Sequence, residues 1–224
     1  MPIKFFLLGS LVCFTFASCA QKRNATAMNQ FKEEPVASRT AVADPGLDTA
    51  TFAEGCFWCT ETFFQQLKGV KKVISGYSGG HVPNPTYEQV CTGTTGHAEA
   101  CNIIYDPAEI SYDKLLEAFW ESHDPTTLNR QGNDVGPQYR SVVFFHNDVQ
   151  KQKAEQYKQK LNASGAFPHP VITAIEPYKN FYVAEDYHQD YYNENPNKPY
   201  CQIVIRPKLE KFRKVFSQEL KTAE

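Results

Sequence analysis

From Leu47 onward, short strand-like runs alternate with helical patterns, and this alternation limits what the chain can fold into. Thr51-Phe52-Ala53 reads as a strand. After Gly55 comes a helix carrying Phe63, Phe64 and Leu67 that stops at Gly69. Val70 to Tyr77 reads as a strand ending in Ser-Gly-Gly, and a short helix runs from about Pro85-Thr86 to Gly93. On the next strand, His97 to Tyr105, Glu99 shares a face with His97, Cys101 and Ile103, while Ala98, Ala100 and Ile104 share the other. Both faces are largely apolar, so Glu99 is expected on a covered surface. Ser111 caps a helix striped with Leu115, Leu116, Phe119 and Trp120, which ends before Asp124-Pro125. The loop through Gln131-Gly132-Asn133-Asp134 to Gly136-Pro137 is long for a connector, and loops of that length in a domain are usually functional or disordered. Tyr139 to Phe145 reads as a strand, Asn147 opens a helix closed by Gly165, and Val171 to Ile175 is another strand. Cys201 to Ile205 reads as packed strand, and a last helix from Pro207 presents Leu209, Phe212 and Phe216 on one side. This order predicts α+β layers around one core in a single domain, residues 47–224.

The N-terminal end reads differently. Phe5 to Ala17 is almost without polar groups, and its 13 residues fall short of the roughly 20 that a spanning helix needs. With Ala17-Ser18 directly before Cys19, residues 1–18 are expected to be a signal peptide of lipoprotein type, with Cys19 as the lipidated residue; a plain secretory signal is the alternative. Residues 19–46 are rich in Lys, Asn, Gln, Glu, Ala and Pro, cannot offset their ordering entropy and read as a flexible tether. The chain is therefore expected to be exported, as a periplasmic or outer-membrane-anchored lipoprotein that meets the membrane only through its lipid. With 23 basic and 25 acidic residues it carries no field that would gather nucleic acid.

Chemistry is concentrated at Gly55-Cys56-Phe57-Trp58-Cys59-Thr60-Glu61, where a strand turns into a helix. The N–H groups and dipole of a helix start favour a thiolate at Cys56, which makes a nucleophile plausible. Cys59 lies one turn along the same face. The pair by itself also fits two structural thiols, half of a zinc site or a thioredoxin-like redox couple, although no second cysteine pair or histidine spacing completes a metal site.

With its surroundings this segment resembles peptide methionine sulfoxide reductase of the A type. The matching blocks, in family order, are Gly55-Cys56-Phe57-Trp58, Gly76-Tyr77-Ser78-Gly79-Gly80, Pro83-Asn84-Pro85-Thr86-Tyr87, Gly96-His97-Ala98-Glu99-Ala100, His123-Asp124-Pro125, Gln131-Gly132-Asn133-Asp134, Gln138-Tyr139-Arg140-Ser141 and Ala184-Glu185-Asp186-Tyr187-His188-Gln189. The resemblance implies a two-layer ferredoxin-like sandwich and an enzyme, peptide-methionine (S)-S-oxide reductase, that needs neither cofactor nor metal. It implies Cys56 as nucleophile, Glu99 as a carboxyl kept neutral by desolvation that donates to the sulfoxide oxygen, and Tyr87 and Tyr139 as hydroxyls aimed at the same oxygen. Phe57 and Trp58 become walls around the substrate methyl, and Asp134 orients the tyrosines or the substrate. His188 and His97 are read as structural.

Attack by Cys56 leaves a sulfenic acid that a second thiol must resolve. Many relatives use a glycine-rich C-terminal tail for this, whereas here Cys201 is followed by Gln-Ile-Val-Ile-Arg-Pro-Lys, which reads as packed, so Cys59 is the expected resolving residue. The expected partners are proteins and peptides bearing methionine sulfoxide, and thioredoxin or an exported thioredoxin-like reductant. Two rival readings stay open from sequence. One is a general thiol–disulfide oxidoreductase; the other is a surface lipoprotein that binds through the aromatic stretch Tyr178 to Tyr192.

Overall fold

Strand β1 (Asp48–Glu54) buries Ala50 and Phe52 on one face and Thr51 and Ala53 on the other, so its place is the middle of a sheet covered on both sides. In the computed structural model, which describes residues 46–222, it is followed by α1 (Phe57–Gln65), β2 (Val70–Ser78), α2 (Tyr87–Cys91), β3 (Ala98–Tyr105) and α3 (Tyr112–Ser122). Then come β4 (Arg130–Gln131), β5 (Asp134–Val135), β6 (Ser141–Phe145), α4 (Asp148–Ser164), β7 (Ala174–Pro177), β8 (Phe181–Val183), α5 (Tyr191–Glu194) and α6 (Arg206–Val215). The signal peptide, Cys19 and the tether up to residue 45 lie outside the described residues.

Six strands form one sheet in the order β7-β6-β1-β3-β2-β8, antiparallel except for the parallel pair β6·β7. One face carries α1 and α3, which meet over Phe52: its ring lies 4.9 Å from Phe119 and 5.6 Å from Phe64. Each fully buried phenylalanine here stabilises the fold by about 1.5–3 kcal/mol. The amphipathic α6 closes this core with Leu209, Phe212 and Phe216, Phe212 stacking on Phe63 at 5.3 Å. A smaller apolar cluster of Ala53, Ala98, Ala100, Val142, Phe144 and Phe181 fills the opposite face. The architecture is thus a mixed sheet with helices in a single α+β domain.

The expected caps are in place. Ser111 accepts from the Lys114 N–H, Asn147 accepts from the Gln150 N–H, and Gly165 ends α4 in the left-handed conformation. Thr86 and Gln89 form a reciprocal capping box at the start of α2. Three strand expectations need correction. Tyr139 lies in a 3-10 turn, Pro137–Tyr139, and its strand begins at Ser141; the strand expected at Val171 is shifted to Ala174. Cys201–Ile205 is no strand but a π-helical turn running into α6. Cys201 and Ile205 are buried while Gln202 and Ile203 face solvent, an i, i+4 spacing that a short apolar run does not distinguish from a strand by composition. The long loop after Asp124-Pro125 is ordered by the β4–β5 hairpin.

Candidate active site

The chain leaves β1 through Gly55, whose φ of +109° suits glycine, and a Cβ there would sit 2.7 Å from the Gln131 side chain. That close approach brings the β4–β5 hairpin against the start of α1. Gln131 is fixed in turn by a two-way bond to the Asp124 backbone, at 3.1 and 3.2 Å. Cys56 is the N-cap of α1, with extended φ and ψ of −62° and 121°. Cys59, one turn on, donates its N–H to the Cys56 carbonyl at 3.0 Å. Both are free and buried.

The electrostatics at Cys56 correct the sequence expectation. Burial raises its thiol well above the usual range, Cys59 raises it further, and the Trp58 N–H and Tyr200 hydroxyl that reach its sulfur only partly offset this. A helix start favours a thiolate, but here the site is too dry for that to decide the resting state. Cys56 therefore rests as a neutral thiol.

Glu99 lies beneath the same turn, 1% exposed, and its Oε2 accepts the Phe57 N–H at 3.1 Å. None of the ion pairs among the described residues involves it. Desolvation first, then Cys56, raises its carboxyl well above the ordinary carboxylate range. The Phe57 bond opposes this without reversing it, so Glu99 is a neutral acid. Its strand places it as expected: Cys101 and Ile103, two and four residues on, are fully buried on the same face.

Tyr87 and Tyr139 are half-buried, and burial raises both hydroxyls above their ordinary range. Glu185 anchors Tyr87 by accepting its N–H at 2.8 Å and the Tyr77 hydroxyl at 2.8 Å. Arg140 anchors the Tyr139 turn by donating to Pro137 O and Gly96 O at 3.0 and 2.9 Å. Asp134, in β5, accepts the Tyr200 hydroxyl at 2.7 Å. It does orient a tyrosine, but not either of the two singled out from sequence.

The aromatic walls divide in character. Phe57 is fully covered, its ring stacked near Tyr87 and packed 5.1 Å from His188, so it backs the site. Trp58 is half-buried, lies flat on Tyr191 with centroids 3.7 Å apart and planes 6° apart, and meets Tyr200 edge-on at 5.7 Å. Its indole N–H donates to His188 Nδ1 at 3.2 Å. That bond fixes the proton of a neutral His188 on Nε2, and burial holds its pKa down. His97 accepts the Gly80 N–H at 3.1 Å and bonds Val82 O at 2.8 Å, a packing role as expected.

Tyr200 and Tyr191 are the residues that sequence reasoning missed. Tyr200 directly precedes Cys201, the other cysteine weighed as a resolving thiol, and an aromatic beside a cysteine was the available signal. Cys201 itself is fully buried, Cys101 is buried with its thiol 3.5 Å from Phe57 O, and exposed Cys91 meets the Tyr87 hydroxyl. Among the described residues no three His, Cys, Asp or Glu side chains converge as a metal site would require.

A buried thiol, a neutral acid, half-buried tyrosines and an aromatic wall together suit the chemistry of an oxidised sulfur atom. The family model for peptide methionine sulfoxide reductase matches residues 48–220. A peptide methionine sulfoxide reductase MsrA of Saccharolobus solfataricus is 52% identical over 178 residues, covering 80% of this chain and 99% of that one. One from Rhodopirellula baltica is 52% identical over 177 residues, covering 79% and 91%. Among solved structures, Mxr1 of Saccharomyces cerevisiae in reduced form superposes with a TM-score of 0.67 at 36% identity, covering 73% of this chain and 94% of that one. Methionine sulfoxide reductase A of Corynebacterium diphtheriae gives 0.63 at 38% identity, covering 69% and 78%. The chain belongs to the peptide methionine sulfoxide reductase family, A type.

Proposed function

We propose that this protein is a thiol-dependent repair enzyme that reduces methionine-S-sulfoxide, protein-bound and free, to methionine. The observation that carries the reading is Glu99: a buried neutral carboxyl without a cationic partner, 3.1 Å from the peptide N–H next to Cys56. Its placement serves a leaving oxygen that must be protonated.

In this reading the Cys56 sulfur attacks the sulfoxide sulfur while Glu99 protonates the oxygen and takes the proton that the thiol gives up. Tyr87 and Tyr139 hold the oxygen, Asp134 with Tyr200 orients the substrate, and Trp58, backed by Phe57, walls its S-methyl. The oxygen ends on Cys56 as a sulfenic acid. The sulfoxide gains two electrons, Cys56 loses two, and methionine leaves. Cys59 then attacks the sulfenic sulfur, water departs and a Cys56–Cys59 disulfide closes. The Cys59 N–H bond to the Cys56 carbonyl, which sets the two residues one turn apart, supports this pairing, as does the non-helical backbone of Cys56, which leaves the first turn free to tighten toward the roughly 3.5–4.5 Å Cβ separation a disulfide needs. A thioredoxin-like dithiol reopens the disulfide.

The order β6-β1-β3-β2, antiparallel throughout, with α1 and α3 packed together over β1, supports a ferredoxin-like reading of the catalytic domain. The N-terminal pattern alone supports export, with residues 1–18 a lipoprotein signal, Cys19 lipidated and 19–46 a tether, in a periplasmic or outer-membrane-anchored protein. The reductant is then itself exported or membrane-delivered.

The test is single-turnover reduction of S- and R-sulfoxide peptides by pre-reduced protein without added reductant, followed by mass mapping of the cysteines. About one methionine per protein from the S epimer alone, with a new Cys56–Cys59 disulfide, is the expected result. No product from either epimer with both thiols intact would overturn the reading.

A further inference from the structure

Trp58 and Glu61 stand one turn apart on α1, and both reach across to the segment that joins β8 to α5. Trp58 does so through His188. Glu61, 2% exposed, does so with Oε1, which accepts the Asp190 N–H at 2.9 Å. Its Oε2 is buried without a hydrogen-bond partner, and no ion pair among the described residues includes Glu61. Asp190 is left-handed at φ 51° and ψ 31°, a conformation that disfavours a non-glycine residue unless local hydrogen bonds support it. Something must hold it there. Its carboxylate accepts from Gln65 Nε2 at 3.1 Å and Asn193 Nδ2 at 2.6 Å, and its N–H goes to Glu61. The residue that follows this kink is Tyr191, the ring that lies flat on Trp58.

We infer that Glu61 is a positioning residue for the sulfoxide site: by holding the Asp190 peptide it fixes the left-handed turn that lays Tyr191 on Trp58 and so sets the aromatic wall facing the substrate methyl. The inference rests on the function proposed above. Glu61 touches neither substrate nor the reacting sulfur, and it acts through Tyr191. Loss of the stack leaves the wall unset, and the expected consequence is a weakening of substrate binding by up to about tenfold.

The test uses the full chain with Trp120→Phe, which leaves Trp58 as the sole indole of the chain's 2 tryptophans. Glu61→Ala is expected to raise KM for an S-sulfoxide peptide up to about tenfold, with the saturating single-turnover rate held within about threefold. It should also shift Trp58 emission to the red as water reaches the indole face. Glu61→Gln, whose amide oxygen still accepts the Asp190 N–H, should keep both values. Tyr191→Leu should reproduce both changes, and adding Glu61→Ala to it should change neither further. If the alanine variant does not fold, Glu61→Met fills the volume without an acceptor and takes its place. Unchanged KM and emission in the acceptor-free variant, equal impairment in Glu61→Gln, or additive effects with Tyr191→Leu would overturn the inference. Should the unsubstituted protein reduce no sulfoxide, the functional reading falls and the emission shifts alone decide this one.

Discussion

The Phe57 N–H donates to Glu99 Oε2 at 3.1 Å, which ties the Glu99 carboxyl to the backbone of the turn that carries Cys56, the proposed nucleophile. Any movement of that turn therefore moves Cys56 and Glu99 together. Glu99→Gln keeps the acceptor for Phe57 and the volume but has no proton to give. The single-turnover rate on an S-sulfoxide peptide is expected to fall roughly 10²–10⁴-fold, the usual contribution of a general acid. Thermal stability should hold or rise, because a carboxyl that resists ionisation costs more to bury than an amide. Quenched-flow rates within about threefold of the unsubstituted protein would remove Glu99 from proton transfer.

Cys59→Ser separates reduction from recycling. The serine hydroxyl cannot attack a sulfenic acid to form a disulfide, so the variant should still yield about one methionine per protein and then stop, even with a thioredoxin-like reductant present. A dimedone adduct on Cys56 would identify the stalled sulfenic acid. Full reductant-driven turnover would hand the resolving role to Cys201, Cys91 or Cys101. Cys201 would have to leave a fully buried π-helical turn to take it.

The resting state of Cys56 is testable by alkylation against pH. Burial raises its thiol while the Tyr200 hydroxyl lowers it, so iodoacetamide should react slowly at pH 7 and accelerate as the thiolate fraction grows above about pH 9. Tyr200→Phe deletes the hydroxyl and should move the half-maximal pH upward, with Asp134 also losing its 2.7 Å donor. A profile that plateaus below pH 7, or one that Tyr200→Phe shifts downward, would contradict the dry-thiol description.

Much of this site was legible in the sequence because its parts sit on strongly patterned elements. Alternation along β3 placed Glu99 on a covered face, and the strand–glycine–helix order around Gly55 placed Cys56 at a helix start. What could not be read was environment. The dipole at Cys56 is visible from position, whereas the desolvation that outweighs it depends on how the folded protein buries the sulfur. Tyr191 and Tyr200 arrive from a segment more than 120 residues away, positioned by a left-handed Asp190 and a π-helical turn. Neither has a periodic signature. The strand expected at Cys201–Ile205 failed for a related reason: four apolar residues and one glutamine, with two buried positions four apart, satisfy either period until tertiary packing decides.

Two residues before Cys56, Glu54 makes a last prediction that concerns stability and not chemistry. It is 4% exposed, accepts the Ser122 hydroxyl at 2.7 Å and lies 3.8 Å from His123 Nδ1, while its second oxygen has no partner. Burial raises its carboxyl to about 8 and lowers His123 to about 4. The folded state thus holds the Glu54 proton more tightly than the unfolded chain does. Its stabilising contribution is complete below pH 4.5 and is lost as pH rises through about 8. His123 has the opposite sign, costing stability as pH falls from 6.5 toward about 4, so between pH 7 and 8 Glu54 acts without that opposition. Glu54→Gln keeps the Ser122 bond and cannot ionise. Urea unfolding should show the variant gaining on the unsubstituted protein as pH is raised from 5 to 8.5, by on the order of 3 kcal/mol at the upper end. A stability difference that does not change with pH would show that Glu54 keeps its charge in the folded protein, in which case the proton belongs on His123.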